Sequence, residues 1–222
     1  ILKNDLPAIY LAESNIRHPR FVSPSGLYEA GKMVGYFLAE KLKGRGRILC
    51  VGGLSEQGGE NGQSRLSGFS DALQKFSGIT WEHFPSYWRY DQAYPQIQQA
   101  LLQFGTPIDA IFGLSDSLAL ASRDALQQSG IPDAHVLIAG VNGDPQALAA
   151  IADGSFSATV ETSASEFGTR AVELAFQAAQ GEPLPEHYGY LPHLITGENV
   201  NDAIKRKLID IANLPSRLVG VN

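Results

Sequence analysis

Residues 110–121 have the sequence AIFGLSDSLALA, an apolar run that passes through a short polar turn directly into a helix-forming segment. The run shows no alternation of apolar and polar positions, which is typical of a strand buried on both faces of a sheet. The turn contains Ser115 and Asp116, and residues of these types commonly begin helices. A buried strand followed at once by a helix is the repeating unit of α/β proteins.

The same unit recurs in both directions along the chain. Short apolar runs predict strands at 8–12, 47–51, 79–84, 110–114, 135–141 and 157–161. Segments with helical periodicity predict helices at 27–42, 65–76, 94–104, 118–129, 145–152, 165–180 and 201–213. The prolines and the glycine of residues 19–26 predict a turn. This alternation predicts an α/β fold with parallel sheets, and such sheets bind ligands beyond the carboxyl ends of their strands.

The composition is that of a folded α/β protein, with 44% hydrophobic and 18% charged residues in 222. A net charge of -6 leaves no broad basic face, so we expect no direct contact of this chain with nucleic acid. The sequence contains no apolar run as long as a membrane-spanning helix, so we also expect no membrane segment.

The residues that commonly bind metals are few and scattered. The single cysteine, Cys50, lies inside an apolar run, so it cannot form an intrachain disulfide and we expect it to be a buried small side chain. The five histidines lack the i, i+4 spacing of a zinc-binding helix. We therefore predict neither a metal site nor a cofactor.

Three motifs in a fixed order narrow the prediction. Residues 65–69, RLSGF, open a predicted helix; Ser115-Asp116 follows a predicted strand; and residues 137–143, LIAGVNG, form a strand and a turn. In this order they resemble the type I periplasmic-binding-protein family, which includes ribose-binding-protein-like sugar receptors and LacI-type regulators. The resemblance covers residues 1 to about 198. It implies two Rossmann-like lobes with parallel sheets that close over a small-molecule ligand.

The resemblance also implies how the chain divides. The predicted strand at 8–12 resembles one that the family places after several β/α units, which implies that the N-terminal lobe is incomplete in this chain. The implied parts are 1–42 and 162–186 for the remnant of the N-terminal lobe, 43–161 and 187–200 for the C-terminal lobe, and 201–222 for a helical connector to a downstream module.

An arginine and two aromatic residues are candidates for ligand binding. In the family the arginine of the first motif points into the cleft, which implies that Arg65 contacts the ligand. The alternative is an arginine at a helix start that bridges to a neighbouring carboxylate. Trp88 and Tyr90 lie in a strand-to-helix loop where the family often places an aromatic ring over the ligand. They could equally form a lid on the core.

Three polar residues that follow predicted strands complete the candidate site. Where the family has asparagine and aspartate in its pocket, this chain has Ser115 and Asn142, so a sugar is only the default ligand. We expect both side chains to face the crevice rather than to make a defined bond. Asp116 could orient a ligand or Arg65, but an aspartate at a helix start is also an N-cap, and we favour the cap.

No nucleophile with an adjacent base, carboxylate pair or cofactor motif is visible, so we predict a receptor rather than an enzyme. Our main hypothesis is a homodimeric, cytoplasmic sensor domain of a bacterial regulatory or signalling protein that binds a sugar-like molecule. One alternative is a periplasmic solute-binding protein of an ABC sugar transporter. The others are the effector domain of a LacI-type transcriptional regulator, an interaction protein with a vestigial pocket, and an enzyme on a Rossmann-like sheet.

Overall fold

A computed structural model describes residues 6–11, 21–53, 61–130, 135–189 and 191–212. Its strands are β1 (Ala8–Ile9), β2 (Phe21–Ser25), β3 (Arg45–Val51), β4 (Gly78–Phe84), β5 (Ala110–Gly113), β6 (Leu137–Asn142), β7 (Ala158–Glu161), β8 (His187–Gly189) and β9 (His193–Thr196). Its helices are α1 (Leu27–Lys41), α2 (Asn61–Leu73), α3 (Tyr90–Phe104), α4 (Asp116–Gln128), α5 (Pro145–Ala152), α6 (Ala164–Ala179) and α7 (Val200–Ala212). The predicted α/β fold with parallel-dominated sheets is confirmed.

The larger sheet has the strand order β4-β3-β5-β6-β7-β9, and all its pairs are parallel except β7 with β9. Its central strands are buried along their length: Ile48 and Leu49 of β3 and Ile111 and Phe112 of β5 have no exposed surface. Helices cover both faces of this sheet. Ile138 of β6 packs with residues of α5 and α7 on one face, and the next residue, Ala139, belongs to the core shared with α1 and α2 on the other.

A smaller sheet has the order β1-β2-β8, with every pair parallel. Helix α6 packs on it through Ala171 and Leu174, which meet Val22 and Tyr188. The chain therefore passes from the smaller to the larger sheet after β2, returns after β7, and passes back between β8 and β9.

The sequence did not predict strand β2, because Pro24 favoured a turn. In the structure Val22 accepts a hydrogen bond from the backbone nitrogen of Tyr10, so the even-numbered residues of β2 direct their backbone polar groups toward β1. Strand β1 pairs only with Phe21 and Val22, so Pro24 lies beyond it and its missing N–H interrupts none of the described pairs. On the other edge Pro24 lies opposite Tyr188 of β8.

Two segments pack differently from the predicted division. Helix α1 was expected in the N-terminal remnant, but it packs along α2 and against β6 and β7 of the larger sheet, because its buried stripe of Ala30, Val34 and Leu38 joins that core. Residues 187–200 were expected with the C-terminal lobe, but the first of them form β8, which pairs with β2 in the smaller sheet.

Helix α7, the start of the predicted connector, packs on α5 and β9, whereas residues 213–222 lie outside the described part of the chain. In the described residues no helix has both the length and the hydropathy needed to cross a membrane.

Candidate functional site

The carboxyl ends of β5 and β6 lie next to each other, and the side chain of Arg65 from α2 reaches both. One terminal nitrogen of Arg65 donates a short hydrogen bond to the carbonyl oxygen of Leu114, which follows β5. The other donates to the side-chain oxygen of Asn142 at the end of β6, at 3.3 Å. Arg65 is only 7% exposed, so the guanidinium is held at the sheet edge rather than in open solvent.

Helix α2 places Arg65 there because of the aromatic residue one turn later. Phe69 is fully buried, and its ring centroid lies 4.9 Å from that of Phe112 and 5.6 Å from that of Trp81. Positions four residues apart share a face of a helix, so anchoring Phe69 in the core directs Arg65 inward at the adjacent turn.

Trp88 brings an aromatic face to the same arginine. The guanidinium carbon of Arg65 lies 5.6 Å from the Trp88 ring centroid, within the range of a cation–π interaction. A small residue at position 62 of α2 leaves room for this ring, since a methyl group at Gly62 would lie 3.3 Å from the Trp88 side chain and 2.9 Å from the α-carbon of Gly53. Arg65, Trp88 and Asn142, three of the predicted site residues, therefore come together.

Asn142 has an unusual backbone conformation. Its φ angle is +135°, a value that residues with a side chain rarely adopt, and the next residue, Gly143, has a φ of +73°. Two buried side chains hold the turn: the hydroxyl of Thr159 accepts from the nitrogen of Gly143 at 3.2 Å, and a carboxylate oxygen of Asp116 accepts from the nitrogen of Asp144 at 2.7 Å. Asn142 thus makes a defined bond to Arg65, where we expected only exposure to the crevice.

Asp116 has no exposed surface, so it supports the turn from inside the protein. Its second carboxylate oxygen accepts from the Thr159 hydroxyl at 2.7 Å. Burial raises the pKa of Asp116 from 3.8 to about 7, although the hydrogen bonds from Thr159 and from backbone nitrogens partly oppose the shift. The N-cap role that we favoured for Asp116 was wrong. Ser115 is the N-cap of α4, and its hydroxyl accepts a hydrogen bond from the nitrogen of Leu118 at 3.4 Å, so the cap engages the Ser115 side chain.

Tyr90 lies in a different setting. Its hydroxyl donates to Asp124 at 2.7 Å, and its ring stacks on Tyr94 with centroids 5.8 Å apart. Burial, with the bond to Asp124, raises its pKa to about 12. It lines an open groove of about 490 Å³ together with Ser117, Leu120, Arg123, Asp124, Asp144 and Gln146.

Thr159 and Glu161 were not among the site residues predicted from the sequence. Both belong to the buried strand β7, where Glu161 lies opposite Asn142 in the sheet register. Glu161 is 6% exposed and forms ion pairs with Arg206 at 3.2 Å and Lys207 at 3.1 Å, both from α7. The available signal was two polar side chains at alternate positions of an otherwise apolar strand, since buried polar groups require partners.

The site offers hydrogen-bond donors and an aromatic face, which can hold and orient a polar ligand. In the part of the chain that the structure describes, no three His, Cys, Asp or Glu side chains cluster as they would around a metal ion.

A buried arginine beside an aromatic ring, at the carboxyl edge of a mainly parallel sheet, is typical of the ligand-binding edge of an α/β domain. The periplasmic binding protein domain family matches residues 24–183, and the chain belongs to this family. The predicted family resemblance is thereby confirmed.

Known relatives include the ribose import binding protein of Salmonella typhimurium, 27% identical over 160 residues, which are 71% of this chain and 52% of that protein. Among solved structures, an ABC transporter solute-binding protein from Bacillus halodurans with bound myo-inositol is 27% identical, with a TM-score of 0.77 over 90% of this chain and 70% of that one. The arabinose-transporter binding protein from Shewanella sp. ANA-3 shares the fold, with a TM-score of 0.82 and 21% identity over 95% of this chain and 72% of that one. The chain spans about half the length of the curated relatives it matches.

Proposed function

We propose that this chain is the sugar-binding part of a periplasmic solute-binding protein and that it has no catalytic activity. The observation that carries the proposal is the fixed position of Arg65. Its guanidinium is oriented by Leu114 and Asn142 and lies under Trp88 at the edge of the sheet. A planar donor group next to an aromatic ring suits a ligand with several hydroxyl groups and an apolar ring face.

The comparisons support a polyhydroxylated ligand. The Salmonella relative is named for ribose import, and the Bacillus halodurans protein holds myo-inositol. Both are small cyclic molecules with several adjacent hydroxyl groups, which a guanidinium can bind two at a time. The names of these two relatives also favour a transport role over the sensor expected from the sequence, and the name of the matched family favours the periplasm over the cytoplasm.

The environment of Asp116 favours binding over catalysis. A carboxyl group whose pKa lies near neutrality is a common candidate for a general acid or base. Here both carboxylate oxygens are occupied by Thr159 and Asp144, and the residue has no exposed surface, so the shifted group does not face a ligand.

We also propose that the two sheets belong to two lobes that close on the ligand, with β1, β2, α6 and β8 in one lobe. The chain passes between the sheets at Gly26, at 162–163 and between β8 and β9, and Gly26 has a φ of +140°. Three short crossings of this kind are where hinge closure would change the backbone angles.

Titration calorimetry and thermal unfolding with D-ribose, D-allose, myo-inositol and L-arabinose test the proposal. A sugar at 100 times its Kd stabilises the folded state by about 2.7 kcal/mol. We expect Arg65→Ala to weaken binding at least a hundredfold, because it removes a charged donor that is held in place before binding.

Arg47→Ala is a matched control. Arg47 also donates to backbone carbonyls, those of Phe104 and Pro107, and its guanidinium carbon lies 4.2 Å from the Phe104 ring centroid, but it is near the start of β3 rather than its carboxyl end. The Arg47→Ala variant should be less stable than the wild type and should keep the wild-type affinity for the sugar. Absence of binding across the panel, or equal losses of affinity in both variants, would contradict the proposal.

A sensor that uses the same pocket is the second candidate. The observation that favours it is α7, which follows the segment that the family matches and is tied by two ion pairs to Glu161 at the edge of the sheet. Uptake of labelled sugar by a strain that lacks the protein separates the two candidates, since loss of uptake supports the transport receptor and unchanged uptake supports the sensor.

A further inference from the structure

We propose that Gly31 and Gly68 are positioning residues of the candidate site. They allow α1 and α2 to cross with their backbones in contact, and this crossing determines where Arg65 meets the edge of the sheet. The proposal rests on the proposed function only for its ligand measurement.

The contact between the two helices is reciprocal. A methyl group at Gly31 of α1 would overlap the carbonyl oxygen of Arg65 itself, and a methyl group at Gly68 of α2 would overlap the carbonyl oxygen of Tyr28. One turn further along α1, a methyl group at Gly35 would lie 2.7 Å from the Ala72 methyl and 3.0 Å from the Phe69 carbonyl oxygen. At Gly31 and Gly68 backbone meets backbone, and at Gly35 the nearest atom of α2 is the small Ala72 methyl, so the two helices are closely spaced.

Helix α1 is the fixed partner of the pair. Its backbone lies close to β6, β7 and β9 as well as α2, whereas α2 reaches the larger sheet through side chains such as Phe69. A side chain added at the crossing therefore displaces α2 rather than α1. Arg65 would move with it, and the bond from Arg65 to Asn142, already 3.3 Å long, would exceed hydrogen-bonding distance after a shift of a few tenths of an ångström.

This arrangement accounts for the spacing of the RLSGF motif at 65–69. Arg65 reaches the site, Gly68 contacts α1 at the next turn, and Phe69 fills the core beside Phe112. Positions i and i+3 are neighbours on the surface of a helix, so Arg65 and Gly68 lie on the same side of α2. The motif thus combines the ligand contact with the packing contact that positions it.

Trp88 provides a measurement that needs no ligand. The chain contains two tryptophans, so Trp81→Phe leaves Trp88 as the single emitter beside the Arg65 guanidinium. In this background we expect Gly31→Ala and Gly68→Ala to shift the Trp88 emission. We also expect them to raise the Kd of the tightest-binding sugar, among D-ribose, D-allose, myo-inositol and L-arabinose, at least tenfold. Gly168→Ala is the matched control, since a methyl group there meets nothing within 4 Å, and it should change neither quantity.

A rescue experiment separates positioning from general destabilisation. Gly35→Ala should shift the emission, and the added change Ala72→Gly should restore it, because it removes the nearest obstacle. If Gly31→Ala fails to fold, as judged by circular dichroism, the emission of Gly35→Ala with and without Ala72→Gly tests the proposal in its place. Wild-type emission and Kd in folded Gly31→Ala, or no recovery in the Gly35→Ala/Ala72→Gly variant, would overturn the proposal. If no sugar of the panel binds the wild-type chain, the proposed function fails, and the emission measurements still decide the positioning role.

Discussion

At the scale of single residues, the candidate site depends on a carboxyl group, that of Asp116, which has no exposed surface. Asp116 joins the turn after β6 to strand β7 through Asp144 and Thr159, and this turn carries Asn142 in its unusual conformation. The bonds span 28 and 43 residues along the chain. Local patterns report on neighbours a few residues away, so the sequence indicated that Asp116 was important but not what it contacts. Arg65 could be proposed from the sequence because its motif is local.

The raised pKa of Asp116 predicts how stability depends on pH. The pKa is about 7 in the folded state, so between about pH 4 and pH 7 the folded state binds more protons than the unfolded chain. The free energy of unfolding therefore falls as the pH rises through this range, by up to about 1.4 kcal/mol per pH unit, and this contribution levels off above about pH 7. We expect Asp116→Asn to lose this slope in urea unfolding at about pH 5 and pH 8.

Asp71→Asn serves as the control for this prediction, because Asp71 is an exposed aspartate that accepts a bond from Tyr28 at 2.7 Å. It should keep the slope of the wild type. An Asp116→Asn variant whose stability varies with pH as the wild type does would show that Asp116 is not the titrating group.

At the scale of elements, the sequence predicted the units of the larger sheet better than those of the smaller one. Strands such as β5 are continuous apolar runs, and burial on both faces leaves that signature. Strand β8 has three residues, and β2 contains Pro24, so neither carries a periodic signal. Both exist because they pair with each other, and the pairing joins segments more than 160 residues apart. Such long-range pairing leaves no trace in a short window of sequence.

Helix α7 leads to a second prediction at this scale. Glu161 is buried and holds α7 through Arg206 and Lys207. In Glu161→Gln the two cations lose their shared partner, so we expect the free energy of unfolding to fall by about 1–2 kcal/mol, less than for a fully buried pair because both cations reach solvent. Hydrogen exchange of the amides at 203–207 should accelerate.

The exposed pair of Arg170 and Glu173 on α6 provides the comparison, with side chains 44% and 54% exposed. Glu173→Gln should change stability by no more than about 0.5 kcal/mol. Unaltered exchange of the α7 amides in Glu161→Gln would mean that apolar packing alone holds the helix.

At the scale of the whole molecule, the two sheets have cores of very different size. The described core of the smaller sheet consists of Val22, Ala171, Leu174 and Tyr188, whereas the larger sheet is buried between layers of helices. On α6 two large apolar side chains remain exposed, Val172 at 71% and Phe176 at 65%. Buried apolar area is the main source of stability, so the smaller sheet and α6 should open more readily than the rest.

This difference predicts two levels of protection in native-state hydrogen exchange. Amides of β2, α6 and β8 should exchange through a partial opening with a smaller free energy than those of β3 and β5, which exchange only on global unfolding. Ile111→Ala in the core of the larger sheet should lower the protection of β3 and β5 by about 2–5 kcal/mol and leave the opening free energy of the smaller sheet unchanged, since Ile111 stays buried in the partial opening. Leu174→Ala should lower both free energies, because the buried Leu174 of α6 is exposed in the partial opening and on global unfolding alike. Phe176→Ala on the same helix should change neither, because its side chain is exposed. If Ile111→Ala lowered the protection of β2, α6 and β8 equally, the two sheets would unfold as one unit.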